Sequence, residues 1–233
     1  MRGNQKGFAI GAFFFVFTML AATPATADEG YSKQQQLVDK AKLTFDSFAA
    51  DPTIRWSPSQ AKNVKAILIV PEFLKGAFGL GGAGGGGVFL MRNEKTGQWS
   101  EPAFFTVGAV SFGLQVGGSA SEMVVVIKKT NAADSFYSSS FKLGGDMNVA
   151  AGPLGTGMKG WTRLTFGGGH VGYLLSKGVF AGISAEGAVV VTAKKSNEAY
   201  YGAGTRPTDI LVTRTVSNPG SGRLRAAVAE AMQ

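Results

Sequence analysis

The residues with the most chemical promise lie between Gly79 and Arg92, "GLGGAGGGGVFLMR", where seven glycines fall within nine residues. Gly82, Gly84 and Gly87 formally satisfy G-x-G-x-x-G, the spacing that lets a backbone approach a pyrophosphate. That chemistry needs a strand before the glycines and a helix after them, whose N-terminus holds the phosphates. Here Val88, Phe89, Leu90 and Met91 follow, a strand-like run leading into the turn "NEKTGQW". Gly-Lys-Ser/Thr does not occur, so a Walker loop is excluded as well.

Nucleophilic and metal chemistry find no better footing. The chain has one histidine, His170, no cysteine and no G-x-S-x-G; the near matches around Ser111 and Ser184 each lack a glycine. Beside Gly167, Gly168 and Gly169, His170 reads as a strand-end residue. Without cysteine, metal ligands reduce to carboxylates, and Glu122, Asp134, Asp146, Glu186 and Asp209 show no ligand spacing. The expectation is a protein with no catalytic residues, no metal and no cofactor. Only two carboxylates meeting in space, as in glycoside hydrolysis, would restore an enzyme.

Basic residues carry the remaining signal. Arg55, Lys62, Lys65 and Lys75 are opposed in their segment only by Glu72, and Lys159, Arg163 and Lys177 fall in an acid-free stretch between Asp146 and Glu186. The formal charge is +8. Such a balance serves solubility or favours anionic surfaces.

The N-terminus decides which surfaces. Arg2 and Lys6 precede an apolar core over residues 8–22, closed by Ala25-Thr26-Ala27, a small-x-small cleavage pattern. Residues 1–27 therefore read as a secretory signal peptide; the alternative, an uncleaved anchor, needs about 20 apolar residues. Removing residues 1–27 leaves a mature charge of +6. For an exported, periplasmic protein the matching partner is an anionic phospholipid surface rather than nucleic acid.

The elements that must position these residues follow from periodicity. Leu37, Ala41, Phe45 and Phe48 mark one face of a helix ended by Asp51-Pro52, suited either to the protein's own core or to a bilayer interface. "SPSQAKNV" reads as a short helix with Ser57 as N-cap, and "KAILIV" as a strand closed by Pro71. Beyond Gly84 the pattern turns to period two, in "FFTVGAVSFGLQVGG", "EMVVVIKK", "LGGDMNVAAG", "GWTRLTFGG", "HVGYLLS" and "GVFAGISAEGAVVVTA". Glycines inside strands allow sharp bends, so the fold class is α+β: a strongly curved, Gly-rich, mainly antiparallel sheet or barrel-like body with packed N-terminal helices. "NPGSG" reads as a flexible connector to a short C-terminal helix, "RLRAAVAEAMQ". The domain division is 1–27 signal peptide, 28–217 a single domain, and 218–233 connector and helix.

In order and spacing, "AKNVKAILIVP", "GGGGVFLMR", Trp99-Ser100 with Pro102, "VGAVSFGLQVGGSASEMVVVI", "LGGDMNVAAGPLG", "SKGVFAGISAEGAVV", "NEAYYG" and "RPTDIL" resemble the SYLF domain family. The resemblance implies a strand-rich scaffold with helices packed on it, in which the glycines serve close backbone crossings and Gly152-Pro153 with Gly155 makes a tight turn. It also implies phospholipid association with an N-terminal amphipathic helix in docking, and actin binding in fungal members. Actin does not fit an exported bacterial chain. What carries over is contact with anionic lipid, at Lys33, Lys40 and Lys42 on the first helix and Lys62 and Lys65 on the second. The rival readings are a small integral outer-membrane β-barrel, argued from a signal peptide and alternating strands, and a scaffold for envelope proteins.

Overall fold

Spacings of three and four bring Val38, Ala41, Phe45 and Phe48 onto one stripe of a helix, α1 (Thr26–Ala49), and all four are fully buried. The stripe is rotated slightly from the expected one: Val38 is buried where Leu37 is only half-buried. The computed structural model describes residues 26–52, 54, 58–78, 80–112, 117–137, 140–142, 162–166, 170–177 and 189–233. The signal-peptide core, the Ser57 cap, the strand expected at "LGGDMNVAAG" and the turn at Gly152-Pro153 lie outside the described residues.

After α2 (Pro58–Lys62) come β1 (Ala66–Phe78), β2 (Leu80–Met91), β3 (Ala103–Phe112) and β4 (Gly117–Ile127). The short helix α3 (Thr130–Asp134), β5 (Ser140–Lys142), β6 (Thr162–Phe166), β7 (His170–Lys177) and β8 (Val189–Thr192) follow, then α4 (Lys194–Tyr201), α5 (Pro207–Leu211) and α6 (Gly222–Ala231). The strands form one antiparallel sheet in the order β5-β8-β3-β2-β1-β4-β7-β6. The α+β class holds. The described strands leave β5 and β6 as separate edges, so they form an open sheet and not a closed barrel.

Pro71 does not end its strand. β1 runs straight through it, with a register irregularity against β4 between Val70 and Phe73 and against β2 between Ile69 and Leu74. A bulge leaves one residue outside the ladder, so a residue without an N–H loses nothing there. The glycine run is likewise inside a strand rather than ahead of one: Gly81 to Gly87 are all paired with β3. Close approach of the β1 backbone explains why two of them are glycine, Gly85 above all. A Cβ built on Gly85 would stand 2.0 Å from the Glu72 carbonyl oxygen, and one on Gly87 2.9 Å from that of Ile69. The bulged backbone of β1 leans over β2, and only a residue with no side chain fits beneath it.

Burial on both sheet faces stabilises the middle strands. On one face Leu68, Val70, Phe89, Phe105, Val125 and Ile127 pack with Phe136 and with Ile210 and Leu211 of α5. Phe89 and Phe136 stack at 3.8 Å between ring centroids. On the other, Ile67, Ile69, Val88, Leu90, Phe104, Val124 and Val126 meet α1 and α6. Phe45 and Phe48 each contribute roughly 1.5–3 kcal/mol by this burial, the same payload a bilayer would otherwise take. The core, not a bilayer, receives the described apolar face of α1. Among the described residues no helix is long and apolar enough to cross a membrane.

The C-terminal segment is part of this packing. Leu224 and Val228 of α6, and Met232 just past its end, are spaced by four and buried. "NPGSG", expected to be a flexible connector, is held in a tight turn: the Asn218 side chain accepts from Gly220 N and donates to the Tyr200 carbonyl, both at 2.9 Å. Gln35 of α1 accepts from the Tyr200 hydroxyl at 2.8 Å and donates to the Gly220 carbonyl at 3.0 Å. Periodicity gave no warning of α4. It docks through Asn197, which accepts from Phe104 N at 2.8 Å and donates to Phe104 O at 3.2 Å, so that a buried side-chain amide does for β3 what a neighbouring strand would do.

Candidate functional site

At the end of the sheet where β1 begins, β2 and β4 finish, because both pair antiparallel with β1: Ala66 lies opposite Met91 on one side and Ile127 on the other. Lys65, just before β1, continues both ladders. Its N–H donates to the Ile127 carbonyl and its carbonyl accepts from Arg92 N, each at 2.8 Å. Lys128 and Lys129 follow Ile127, Lys62 closes α2, and the β2–β3 turn carries Glu94 and Lys95. Five lysines therefore gather at one end of the sheet, from three separate stretches of chain.

The turn that carries Glu94 is tightly built. Asn93 Oδ1 accepts from Lys95 N at 2.9 Å and Thr96 N at 3.0 Å, and Gly97 adopts a φ of +73°, which suits glycine. Arg92 spreads its guanidinium over the carbonyls of Ala61, Lys62, Gly97 and Met232, at 3.3 to 3.4 Å, joining the turn to α2 and to the end of α6. Arg214, at a φ of 54°, donates to the carbonyls of Met91 and Gln98 from the opposite side. Burial and the neighbouring Arg225 guanidinium push the Arg214 pKa down from its ordinary value.

Glu94 Oε1 accepts from Lys65 Nζ at 2.9 Å and from Thr130 Oγ1 at 2.7 Å. These bonds hold its carboxyl below the usual carboxylate range, the lysine bond contributing most. Lys62, Lys95 and Lys129 have no ion pair with any described residue.

The structure separates the five lysines expected from sequence into two groups. Lys62 and Lys65 belong to this cationic end. Lys40 instead pairs with Glu72 at the β1 bulge, at 2.9 Å, and Lys42 pairs with Asp46 one turn along α1. Lys33 is exposed near the start of the same helix. Sequence reasoning missed Glu94, Lys95, Lys128, Lys129 and Thr130, although "NEKTGQW" was legible as a turn and "EMVVVIKK" as a strand ending in two cations.

A second polar cluster is structural. The Ser221 hydroxyl donates to Glu101, Arg225 donates to Glu101 Oε1 at 2.7 Å and to the Trp99 carbonyl at 3.2 Å, and Ser221 is fully buried. These bonds fasten α6 to the start of β3. Arg225→Met keeps the stem but strands the carboxylate. The expected loss is about 2 kcal/mol in urea unfolding, below the value for a fully buried pair because Arg225 is 39% exposed. Adding Glu101→Gln should recover part of it. His170 opens β7, as its glycine neighbours implied. Among the described residues no group of three or more His, Cys, Asp or Glu could hold a metal ion.

The fold defines a class, an α+β domain built on one antiparallel sheet. The chain belongs to the Ysc84 family, described as "Las17-binding protein actin regulator", whose match covers residues 108–231; this is the SYLF family that the sequence landmarks resemble. It is 32% identical over 145 residues to the SH3 domain-containing YSC84-like protein 1 of Rattus norvegicus, covering 62% of this chain and 42% of that protein. The Homo sapiens protein of the same name is 30% identical over the same length and coverage. LAS seventeen-binding protein 3 of Saccharomyces cerevisiae is 33% identical over 158 residues, 66% of this chain and 34% of the relative. The matched region thus spans less than half the length of these relatives. No solved structure matches the chain.

Proposed function

We propose that this protein is a non-enzymatic module of the bacterial cell envelope that docks on anionic phospholipid surfaces, with the Lys65 end of the sheet toward the bilayer. The observation that carries the reading is the gathering of Lys62, Lys65, Lys95, Lys128 and Lys129 at one end of the sheet, beside the exposed turn that carries Glu94. Lysine ammoniums gathered at one end suit a field of headgroups, and each is worth about 1 kcal/mol near an anionic leaflet. Export rests on the signal-peptide reading of residues 1–27, and the periplasm is the compartment it assigns. Actin is not carried over from the family description, for that compartment holds none.

Sedimentation with vesicles tests the proposal. The mature protein should pellet with phosphatidylglycerol-containing vesicles, stay in solution with pure phosphatidylcholine, and be released as salt shortens the screening length below about 8 Å. Equal binding to neutral vesicles in high salt would overturn it. The family's description by a protein partner favours a second reading, a protein-interaction scaffold. One stoichiometric partner drawn from solubilised envelope, with no vesicle binding, would install that reading instead.

A further inference from the structure

Glu94 occupies the point at the cationic end where two side-chain donors converge. One of its oxygens, Oε1, accepts from an ammonium and a hydroxyl at once, Lys65 Nζ at 2.9 Å and Thr130 Oγ1 at 2.7 Å. Those two donors come from different strands' ends, brought together by the Lys65 N to Ile127 O bond, and they converge on a single acceptor. A phosphate oxygen makes the same pair of bonds, since it too is an anionic acceptor that takes charge-assisted donors at such distances. Lys62, Lys95, Lys128 and Lys129 lie on the chain stretches that meet at this end of the sheet and add positive charge to it.

Glu94 is also free to leave. Its side chain is 49% exposed and stands on a turn whose shape is set by Asn93, Gly97, Arg92 and Arg214, none of which uses the Glu94 carboxylate. Swinging it out costs the turn nothing. We infer that Glu94 is a built-in competitor: its carboxylate fills the seat formed by Lys65 and Thr130, and a phospholipid headgroup phosphate displaces it when the protein docks. This rests on the membrane-docking reading above and adds to it that the empty-handed protein is held below its full affinity by its own side chain.

The test compares full mature protein with Glu94→Gln on vesicles of phosphatidylglycerol and phosphatidylcholine in equal parts, with thermal unfolding as a check that the variant is folded. Glu94→Gln should raise affinity by about fivefold or more, the effect of one charge near an anionic leaflet. Thr130→Val added to it should take back part of that gain. Glu72→Gln makes the same change in net charge roughly 20 Å away along β1, beyond the screening length, and should change affinity little. Inorganic phosphate at matched ionic strength should compete no better than chloride; selective competition would reassign the seat to a soluble phosphate. If Glu94→Gln binds like the wild type or more weakly, or if Glu72→Gln gains as much, the competitor is refuted while membrane docking stands. If neither wild type nor Glu94→Gln binds, both fall together.

Discussion

Gly85→Ala is expected to destabilise the protein by about 3 kcal/mol, lowering the thermal midpoint by roughly 10 °C for a domain of this size. The added methyl would stand 2.0 Å from the carbonyl oxygen of Glu72 and 3.2 Å from Phe73 Cα, all backbone atoms that no rotamer change can move aside. Relief requires shifting the β1 bulge, which is paired on its far side with β4. Gly82→Ala is the control within the same strand, because nothing lies within 4 Å of the Cβ it would add. There the loss of backbone freedom in the unfolded chain favours alanine, so that variant should match the wild type or gain up to about 1 kcal/mol. Equal destabilisation at both positions would mean that the run is needed for strand flexibility at large, and the close-approach account of Gly85 would be wrong.

That contrast shows what glycine content conveys and what it hides. Seven glycines in nine residues were legible as architecture because bulky apolar residues, not a helix, follow them. Which glycine is indispensable was not legible, since it depends on a bulge in another strand. Pro71 misled for the same reason: a proline ends an ordinary strand, and only the pairing on both sides of β1 makes its missing N–H harmless. α1 was readable from the spacing of Ala41, Phe45 and Phe48, yet only the sheet beneath it decided between core and bilayer. α4 escaped because its buried residues are Asn197 and Tyr200, which form no apolar stripe. The cationic end was legible only in part: Lys62 and Lys65 were readable as basic positions, and Lys95, Lys128 and Lys129 were not. Lys65, Lys95 and Lys129 are far apart in sequence, and only antiparallel pairing about β1 brings the chain stretches that carry them side by side.

Replacing Lys62, Lys65, Lys95, Lys128 and Lys129 together by Gln should weaken binding to anionic vesicles on the order of 10³-fold, taking about 1 kcal/mol per charge and 1.4 kcal/mol per decade. The fold should survive, since most of these side chains are exposed and the ladder bonds of Lys65 are made by its backbone. The matching experiment on α1, Lys33, Lys40 and Lys42 to Gln, should cost under about tenfold, because Lys40 and Lys42 are already matched to Glu72 and Asp46 and little free charge is lost. The apolar face of that helix is not available to compensate, being buried against the sheet. The two sets of variants thus oppose two orientations on the membrane, sheet end down or α1 down. Salt provides an independent reading: the wild type and the α1 variant should lose affinity steeply as ionic strength rises, while the five-lysine variant, with its field removed, should respond weakly. A steep loss in the α1 variant with little effect at the sheet end would turn the protein over, and with it the role argued for Glu94.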